Sequence, residues 1–464
     1  MLSRLAFTAA LLLPVPALAQ SLTPAETARV DRVVADALAK TGTPSASIAI
    51  VRRGRLVLAK AYGKASEAIS VATPALPYQI ASNSKQFTAA AVLMLQREGK
   101  LSLEDTVSKY LPGISGGDRI TLRQLLSHTS GLQDYWPQDY SFAAMATPIT
   151  PAGIVDRWAR KPLDFAPGTQ WQYSNTGYVV AGLIVEKVAG EPLLSFLQRR
   201  VFTPLGMTPI DQDLAVGPRF PQGYQRFALG PVRVERPAAK GWLFAAGELS
   251  MTASDLARWD IARMGRTLLS PADWTTQETP VKLTDGTTNG YGLGVQVGSY
   301  KGHRLVNHGG EAVGFLSQNS VLPDDKAAVV VLTNGDFGDA YQAITAGLLD
   351  LVVAGPATAT ADDAAQAHAR AVYDALRAGT LDRALMTADA NYYFTPTALA
   401  DYRTSLAPLG APTGFAATGP AKLRGGFVNR NYTVSYPGTT LTIVTYAEPG
   451  EGGRYEQFLV MPAN

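Results

Sequence analysis

The stretch Ser82-Asn83-Ser84-Lys85-Gln86-Phe87-Thr88-Ala89-Ala90-Ala91-Val92-Leu93-Met94-Leu95 opens on a serine and a lysine three positions apart and continues as an apolar run. The run is rich in helix formers and stops before Gly99, so it predicts a buried helix that starts at Ser82. Residues at positions i and i+3 share a helix face, which brings the Ser82 hydroxyl to the Lys85 amine. A serine becomes a nucleophile when a base takes its proton, and a lysine whose pKa is lowered by burial or nearby charge can be that base or assist it.

The composition indicates a globular protein of about two domains. The chain has 464 residues, of which 46% are hydrophobic and 17% charged. Its net charge of +3 is spread without basic blocks, so nucleic acid is not an expected partner. The absence of cysteine excludes disulfides and a thiolate site, and stability must come from packing.

Residues 1–19 have the features of a secretory signal peptide. Arg4 gives a positive start, an apolar core follows, and Ala17-Leu18-Ala19 forms a small-x-small cleavage site before Gln20. The apolar core is shorter than a membrane span, so no transmembrane segment is expected. We expect export to the periplasm or the extracellular space.

Residues 20–353 predict one α+β domain. Strand-like runs occur early and late in this segment, with a mostly helical middle and a loop-rich part at 208–240 between them. The predicted strands are 46–51, 56–62, 291–297, 304–307, 315–321 and 327–332, and the predicted terminal helices are 24–39 and 340–353. The economical arrangement is one antiparallel sheet built from both ends, flanked by helices, with the helical middle as a second lobe and a cleft between them.

Residues 354–366 are predicted to be a linker because they are rich in alanine, threonine, glycine and proline. Residues 367–464 then predict a small α+β accessory domain, with helices at 365–378 and 396–406 before four short strands. The order of these elements faintly resembles NTF2-like or cystatin-like domains. No cluster of catalytic residue types occurs there, and the partner of this domain is not predicted.

Two further segments supply residue types that a serine nucleophile needs. Tyr173 and Asn175 lie at the start of a predicted helix, where a tyrosine becomes a usable base only beside a cation such as Lys85. The Asn175 amide can bond both Lys85 and a substrate carbonyl. The alternative is a helix start with asparagine as its cap.

The second segment is His308-Gly309-Gly310-Glu311, at the end of a strand-like stretch. Its glycines allow a close approach of backbone, and the main-chain N–H groups of Glu311 and Ser82 are candidate oxyanion donors. The alternative is a glycine-rich turn with a surface histidine. The four histidines show no paired ligand spacing, so no metal site and no cofactor are expected.

Ser82-x-x-Lys85, Tyr173-x-Asn175 and His308-x-Gly310 occur in the order seen in the serine β-lactamase and penicillin-binding protein superfamily. The sequence is similar to its branch of class C β-lactamases, D-alanyl-D-alanine carboxypeptidases and esterases over roughly residues 25–355, and it shares the segments 125–132, 246–250 and 291–294. The resemblance implies a β-lactamase/transpeptidase-like fold. It also implies that Ser82 is acylated, with Tyr173 as general base assisted by Lys85, and that Asn175 positions the substrate.

The resemblance also marks a departure, because His308 stands where β-lactamases carry the lysine of a Lys-Thr-Gly motif. A histidine has an unperturbed pKa of about 6.5 and is mostly neutral at pH 7, so recognition of a substrate carboxylate should weaken. If His308 takes part in the reaction, activity should depend on a group that titrates near neutrality. His128 is expected to be structural.

Together these features predict an exported serine hydrolase that acts through an acyl-enzyme on a small-molecule ester, amide or peptide, as an esterase or a D-amino-acid peptidase. One alternative is a D-alanyl-D-alanine carboxypeptidase or β-lactamase that acts on cell-wall peptides or β-lactams. Another is a sensing or binding protein of the penicillin-binding type, in which turnover is slow or absent.

Overall fold

The computed structural model describes residues 21–137, 141–353, 361–419, 421–424, 427–450 and 452–463. The predicted signal peptide lies outside these ranges, as does the first half of the predicted linker. Residues 361–366 are not linker but the start of a helix, because their alanine-rich sequence favours helical structure. The residues up to 353 and those from 361 onward form two compact units. Within the described residues, no helix has the length and apolar character that a membrane crossing requires.

The helices are distributed over both units. In the first unit they are α1 (Pro24–Thr41), α2 (Lys85–Arg97), α3 (Leu122–Leu126), α4 (Pro151–Ile154), α5 (Asn175–Ala189), α6 (Leu193–Leu197), α7 (Thr203–Leu205), α8 (Phe244–Gly247), α9 (Ala253–Met264), α10 (Pro271–Gln277) and α11 (Ala340–Val352). In the second unit they are α12 (Ala361–Ala378), α13 (Ala388–Tyr393) and α14 (Pro396–Leu406).

The strands follow the same division. In the first unit they are β1 (Ser45–Arg52), β2 (Arg55–Gly63), β3 (Tyr78–Gln79), β4 (Ile210–Asp211), β5 (Tyr224–Arg226), β6 (Val232–Val234), β7 (Leu249–Met251), β8 (Gln296–Tyr300), β9 (His303–Ala312), β10 (Phe315–Leu322) and β11 (Ala327–Thr333). In the second unit they are β12 (Gly414–Ala417), β13 (Lys422–Arg424), β14 (Phe427–Tyr436), β15 (Thr439–Ala447) and β16 (Tyr455–Pro462).

The main sheet of the first unit combines strands from both ends of the segment, as predicted. Its order is β2-β1-β11-β10-β9-β8, and every pairing is antiparallel. The β1–β11 register pairs Ile48 with Val331 and Ile50 with Val329. Because both strands are apolar and buried on both faces, they can only occupy the middle of a covered sheet.

Alternate residues of these central strands face two separate cores. Ile48 and Ile50 pack with α1 and α11, whereas Ala49 and Val51 pack with the larger core that contains α2, α5 and α9. Successive side chains of a strand point to opposite faces, so one apolar strand can serve both layers. The result is the predicted α+β arrangement of a sheet flanked by helices, with a helical lobe on one side.

The helix that carries the serine–lysine pair begins differently from the prediction. Residues Ala81–Ser84 form a 3₁₀ turn, and the α-helix starts only at Lys85. Ala81 adopts a φ of 48°, a left-handed conformation that is unfavourable for a residue with a Cβ. All residues of α2 from Lys85 to Leu95 are buried. The Ser82–Lys85 pair therefore lies at a tight turn into the centre of the larger core.

One predicted strand is largely wrong. Tyr291 to Val297 forms a single bridge between Tyr291 and Gln296, and the regular strand begins at Gln296. Gly294 has a φ of 74°, which a strand does not allow, and a Cβ at this position would lie 2.8 Å from the Lys85 carbonyl oxygen. Close packing of Gly294 against the first turn of α2 therefore prevents this apolar run from forming the predicted strand.

The second unit has the predicted α+β composition. Its sheet has the order β12-β14-β15-β16, with β13 also paired to β14. Val434 and Ile443 on the sheet pack with Val372 and Leu376 of α12 in a separate core. Because this core includes residues of the second unit only, the unit has its own packing.

Candidate active site

The turn that carries Ser82 is tied to the sheet by polar contacts on both sides. The Asn83 amide donates to Ser317 Oγ at 2.9 Å, and Ser317 Oγ in turn donates to the Ile80 carbonyl at 2.9 Å. Gly310 of β9 lies directly against this turn, because a Cβ at that position would collide with the Ile80 carbonyl and Ser317 Oγ. The glycine therefore allows β9 to approach the nucleophile closely.

Lys85 is fully buried and has three hydrogen-bond partners. Its Nζ lies 2.9 Å from Ser82 Oγ, 2.7 Å from Asn175 Oδ1 and 2.7 Å from the Ala246 carbonyl. An amide oxygen and a carbonyl oxygen can only accept, whereas a hydroxyl can also donate. A neutral amine keeps two protons and one lone pair, so it satisfies all three partners only by accepting a hydrogen bond from the Ser82 hydroxyl. The geometry therefore directs the lone pair of neutral Lys85 to the serine.

The charge of Lys85 is set by its surroundings. Burial lowers its pKa to about 7, and the negative charge of Asp134 opposes this effect. Nζ also lies 4.9 Å from the ring centre of Tyr173 and 5.4 Å from that of Tyr178. A substantial neutral fraction is therefore present at physiological pH, which a base requires.

Asp134 is a site residue that the sequence analysis missed. Its carboxylate accepts the main-chain N–H of Asn175 at 3.0 Å and the Asn175 side-chain NH₂ at 3.2 Å. These contacts determine which end of the amide faces Lys85, because the nitrogen is held by the carboxylate. Burial raises the pKa of Asp134 to about 6. The sequence signal was available, since Asp134 follows the shared segment 125–132 after a single residue.

Tyr173 lies on the other side of the serine. Its hydroxyl is hydrogen-bonded to Ser82, and burial raises its pKa above the usual value. The hydrogen bond to Ser82 offsets only part of this rise. At neutral pH Tyr173 is therefore a phenol that holds its proton, beside a lysine that is ready to accept one.

His308 belongs to a chain of hydrogen bonds that determines every proton position. The Ser174 N–H donates to His128 Nδ1 at 3.1 Å, so the proton of neutral His128 is on Nε2. That Nε2–H faces the Tyr291 hydroxyl at 3.2 Å, and Tyr291 in turn donates to His308 Nε2 at 2.7 Å. The proton of His308 is then on Nδ1, which donates to the Gly309 carbonyl.

This chain occupies both nitrogens of His308. Burial and the positive charge of Lys85 lower its pKa to about 4. His308 is therefore neutral across the physiological range, as the replacement of a lysine predicted, but the expectation that it titrates near neutrality is wrong because the ring is buried. The ring of His128 packs against that of Tyr173, with ring centres 4.0 Å apart and planes tilted by 35°.

A cavity of about 310 Å³ opens onto these groups. Of the eight residues predicted from the sequence, seven line it, namely Ser82, Tyr173, Asn175 and His308 to Glu311. Lys85 lies beneath this lining, and Asp134, Trp136, Leu243 and Tyr341 are among the other residues of the wall. Such a volume suits a small ligand rather than a macromolecule.

Comparisons with known proteins place this fold and site in context. Residues 30–354 match the family model described as Beta-lactamase. The putative penicillin-binding protein PbpX of Bacillus subtilis (strain 168) is 30% identical over 295 residues, which cover 62% of this chain and 70% of the relative. The curated relatives are thus matched over about two thirds of their length.

Two solved structures are also similar to this chain. A D-stereospecific amidohydrolase from Streptomyces sp. has a TM-score of 0.61 at 28% identity and covers 71% of this chain and 99% of its own. The octameric penicillin-binding protein homologue from Pyrococcus abyssi has a TM-score of 0.61 at 22% identity, over 94% of this chain and 96% of its own. The second of these likenesses concerns the fold alone.

Proposed function

Because the chain belongs to the beta-lactamase family, whose model matches residues 30–354, we propose that it is a serine hydrolase that forms an acyl-enzyme on Ser82. The observation that carries the proposal is the placement of the Lys85 amine 2.9 Å from Ser82 Oγ, with two obligate acceptors on its other sides. This arrangement gives a serine what it needs to become a nucleophile at neutral pH.

In the proposed acylation step, Ser82 Oγ attacks the substrate carbonyl carbon while its proton moves to the lone pair of Lys85. The main-chain N–H groups of Ser82 and Glu311 would hold the oxyanion that forms. When the tetrahedral intermediate collapses, Tyr173 gives its proton to the leaving group, and the proton held by Lys85 replaces it. Water then repeats the sequence on the acyl-enzyme. This assignment exchanges the roles of Lys85 and Tyr173 that the family resemblance implies, and it follows from their pKa directions.

The proposed reaction is hydrolysis of esters or amides, of the esterase or D-amino-acid amidase and peptidase type. Two observations support this choice over a carboxypeptidase or β-lactamase. His308 is neutral and bonded on both nitrogens, and the described lining of the cavity contains no lysine or arginine for a substrate carboxylate. The likeness to a D-stereospecific amidohydrolase points the same way. Export through the predicted signal peptide is part of the proposal.

The test is hydrolysis of a short-chain p-nitrophenyl ester, run beside intact-mass spectrometry after incubation with a penicillin. Fast ester turnover with no penicillin adduct is expected, and a persistent adduct on Ser82 would favour the sensing protein instead. Ser82→Ala should abolish turnover, because no other hydroxyl contacts Lys85 among the described residues. Its unfolding midpoint should stay at the wild-type value, and unchanged hydrolysis in that variant would refute the proposal.

A further inference from the structure

The cavity has an unusual distribution of charge for a site that accepts a carbonyl substrate. Among the described residues of its lining, the two side chains that carry ionisable carboxyl groups are Asp134 and Glu311, and none is a lysine or an arginine. Lys85 lies beneath the lining with all of its hydrogen-bonding positions in use. The described lining therefore offers a substrate carboxylate two acidic groups and no lysine or arginine side chain.

Hydrogen bonds to both ring nitrogens keep His308 neutral. Tyr291 donates to one ring nitrogen, and the Gly309 carbonyl accepts from the other. A second N–H proton on the ring, at Nε2, would break the hydrogen bond that Tyr291 donates and would set two imidazole N–H groups, of His128 and His308, against the same hydroxyl oxygen. His308, which stands where β-lactamases carry a lysine, thus supplies no positive charge to the substrate.

Glu311 supplies a negative charge at the same place. It is exposed at the rim of the cavity and follows Gly310, the residue that brings β9 against the turn of Ser82. Strand β8 pairs with β9 only from His303 to Asn307, so the second half of β9, including Glu311, forms an open edge of the sheet. A ligand along this edge lies beside the carboxylate of Glu311.

We propose that Glu311 binds an ammonium group of the substrate, and that the site acts on amides and esters of amino acids whose amino group is free. The inference rests on the proposed function and adds its substrate class. A sphere of the cavity's volume is roughly 8 Å across, so an ammonium next to the scissile carbonyl comes within reach of Glu311 while Ser82 attacks that carbonyl. A charge-assisted hydrogen bond between the two groups then orients the acyl part.

The experiment compares alanine p-nitroanilide, in D and L forms, with its N-acetyl and N-succinyl derivatives. The readout is the ratio of kcat/KM for the free amine to kcat/KM for the acetyl derivative, because a general loss of activity cancels in a ratio. We expect Glu311→Gln to lower this ratio about tenfold or more, and Glu311→Asp to retain the preference. Glu311→Lys should reverse the order and favour the succinyl derivative.

The matched control is Glu104→Gln, which makes the same chemical change at an exposed site outside the cavity lining. It should leave the ratio unchanged. Ser82-dependent turnover with a ratio that Glu311→Gln and Glu311→Lys do not alter would overturn the inference and leave the proposed function standing. Turnover that persists in Ser82→Ala would overturn both.

Discussion

Replacing Asp134 by asparagine tests the electrostatic origin of the base. In the wild type the carboxylate of Asp134 raises the pKa of Lys85 against the larger lowering by burial, which leaves that pKa at about 7. Lys85 must be neutral to accept the proton of Ser82. The proposal therefore predicts that kcat/KM rises with pH through about 7 and levels off above it. Removing the negative charge should move this rise to lower pH.

The size of the shift follows from the geometry. Asn175 bridges the two groups, with hydrogen bonds of 2.7 Å to Lys85 and 3.2 Å to Asp134. The two charges are then roughly 7 Å apart, and at an effective dielectric constant of about 20 their attraction is about 2 kcal/mol. One pKa unit corresponds to about 1.4 kcal/mol, so the acid limb should move down by between about one and two pH units.

The assay is a pH–rate profile of kcat/KM from about pH 5 to 9. Asp134→Asn also places an NH₂ group against the Asn175 amide, so the plateau of the profile should fall because the amide loses its orientation. The control is Asp118→Asn, which removes the same charge at an exposed position. It should leave both the limb and the plateau in place.

Three outcomes of this experiment distinguish the roles of Asp134 and Lys85. A shifted limb with a reduced plateau supports both the electrostatic and the orienting function. A plateau that falls while the limb stays at the wild-type pH would refute the electrostatic reasoning, since Asp134 would then act on Asn175 alone. A limb that moves to higher pH would refute the assignment of Lys85 as base.

The remaining predictions concern packing around the site and the fold. Gly310→Ala should destabilise the protein by about 1–3 kcal/mol and reduce activity, because the new Cβ would overlap the backbone of Ile80. The control is Gly309→Ala, where the atom nearest to a Cβ is 3.4 Å away, and equal losses of stability for the two variants in urea unfolding would contradict this packing. Tyr291→Phe should lower the free energy of unfolding by about 1–3 kcal/mol, because the buried Nε2 atoms of His128 and His308 both lose their hydrogen-bond partner. An unchanged midpoint of urea unfolding would argue against the chain of hydrogen bonds. Glu278→Gln should lower the free energy of unfolding, measured by calorimetry, by about 3–5 kcal/mol, because it leaves the buried charge of Arg263 without the carboxylate that pairs with it at 3.1 Å. A loss below about 1 kcal/mol would mean that water solvates the Arg263 guanidinium instead.

The strands were predictable where pattern and burial agree. The runs that became β1 and β11 are largely apolar, and the central strands of a sheet covered on both faces need that pattern. The run at Tyr291 failed because Gly294 meets the Lys85 carbonyl, a contact with a residue more than 200 positions away. Local periodicity carries no information about such an approach.

In the candidate site, too, contacts between neighbours in sequence were predictable, and some contacts between distant elements were not. Ser82 and Lys85 are neighbours on one turn, so their contact follows from sequence spacing alone. Asp134 lies outside the shared segments, and Tyr291 lies in one of them without a predicted role. Both roles were missed because each side chain acts only through a residue that another element brings to it. The neutrality of His308 was anticipated from its residue type, whereas its inability to titrate near pH 7 comes from burial.

The sequence by itself determined the two-unit α+β order of elements, the serine–lysine pair and the residues that meet it, because these depend on apolar periodicity, turn chemistry and short spacings. Only the tertiary structure decided the protonation of the site. Whether Lys85 is a base and whether His308 bears a charge depend on dehydration and on distant partners such as Asp134 and Tyr291. A pKa is set by the medium around a group and by the charges within a few ångströms of it, and the folded chain alone assembles both.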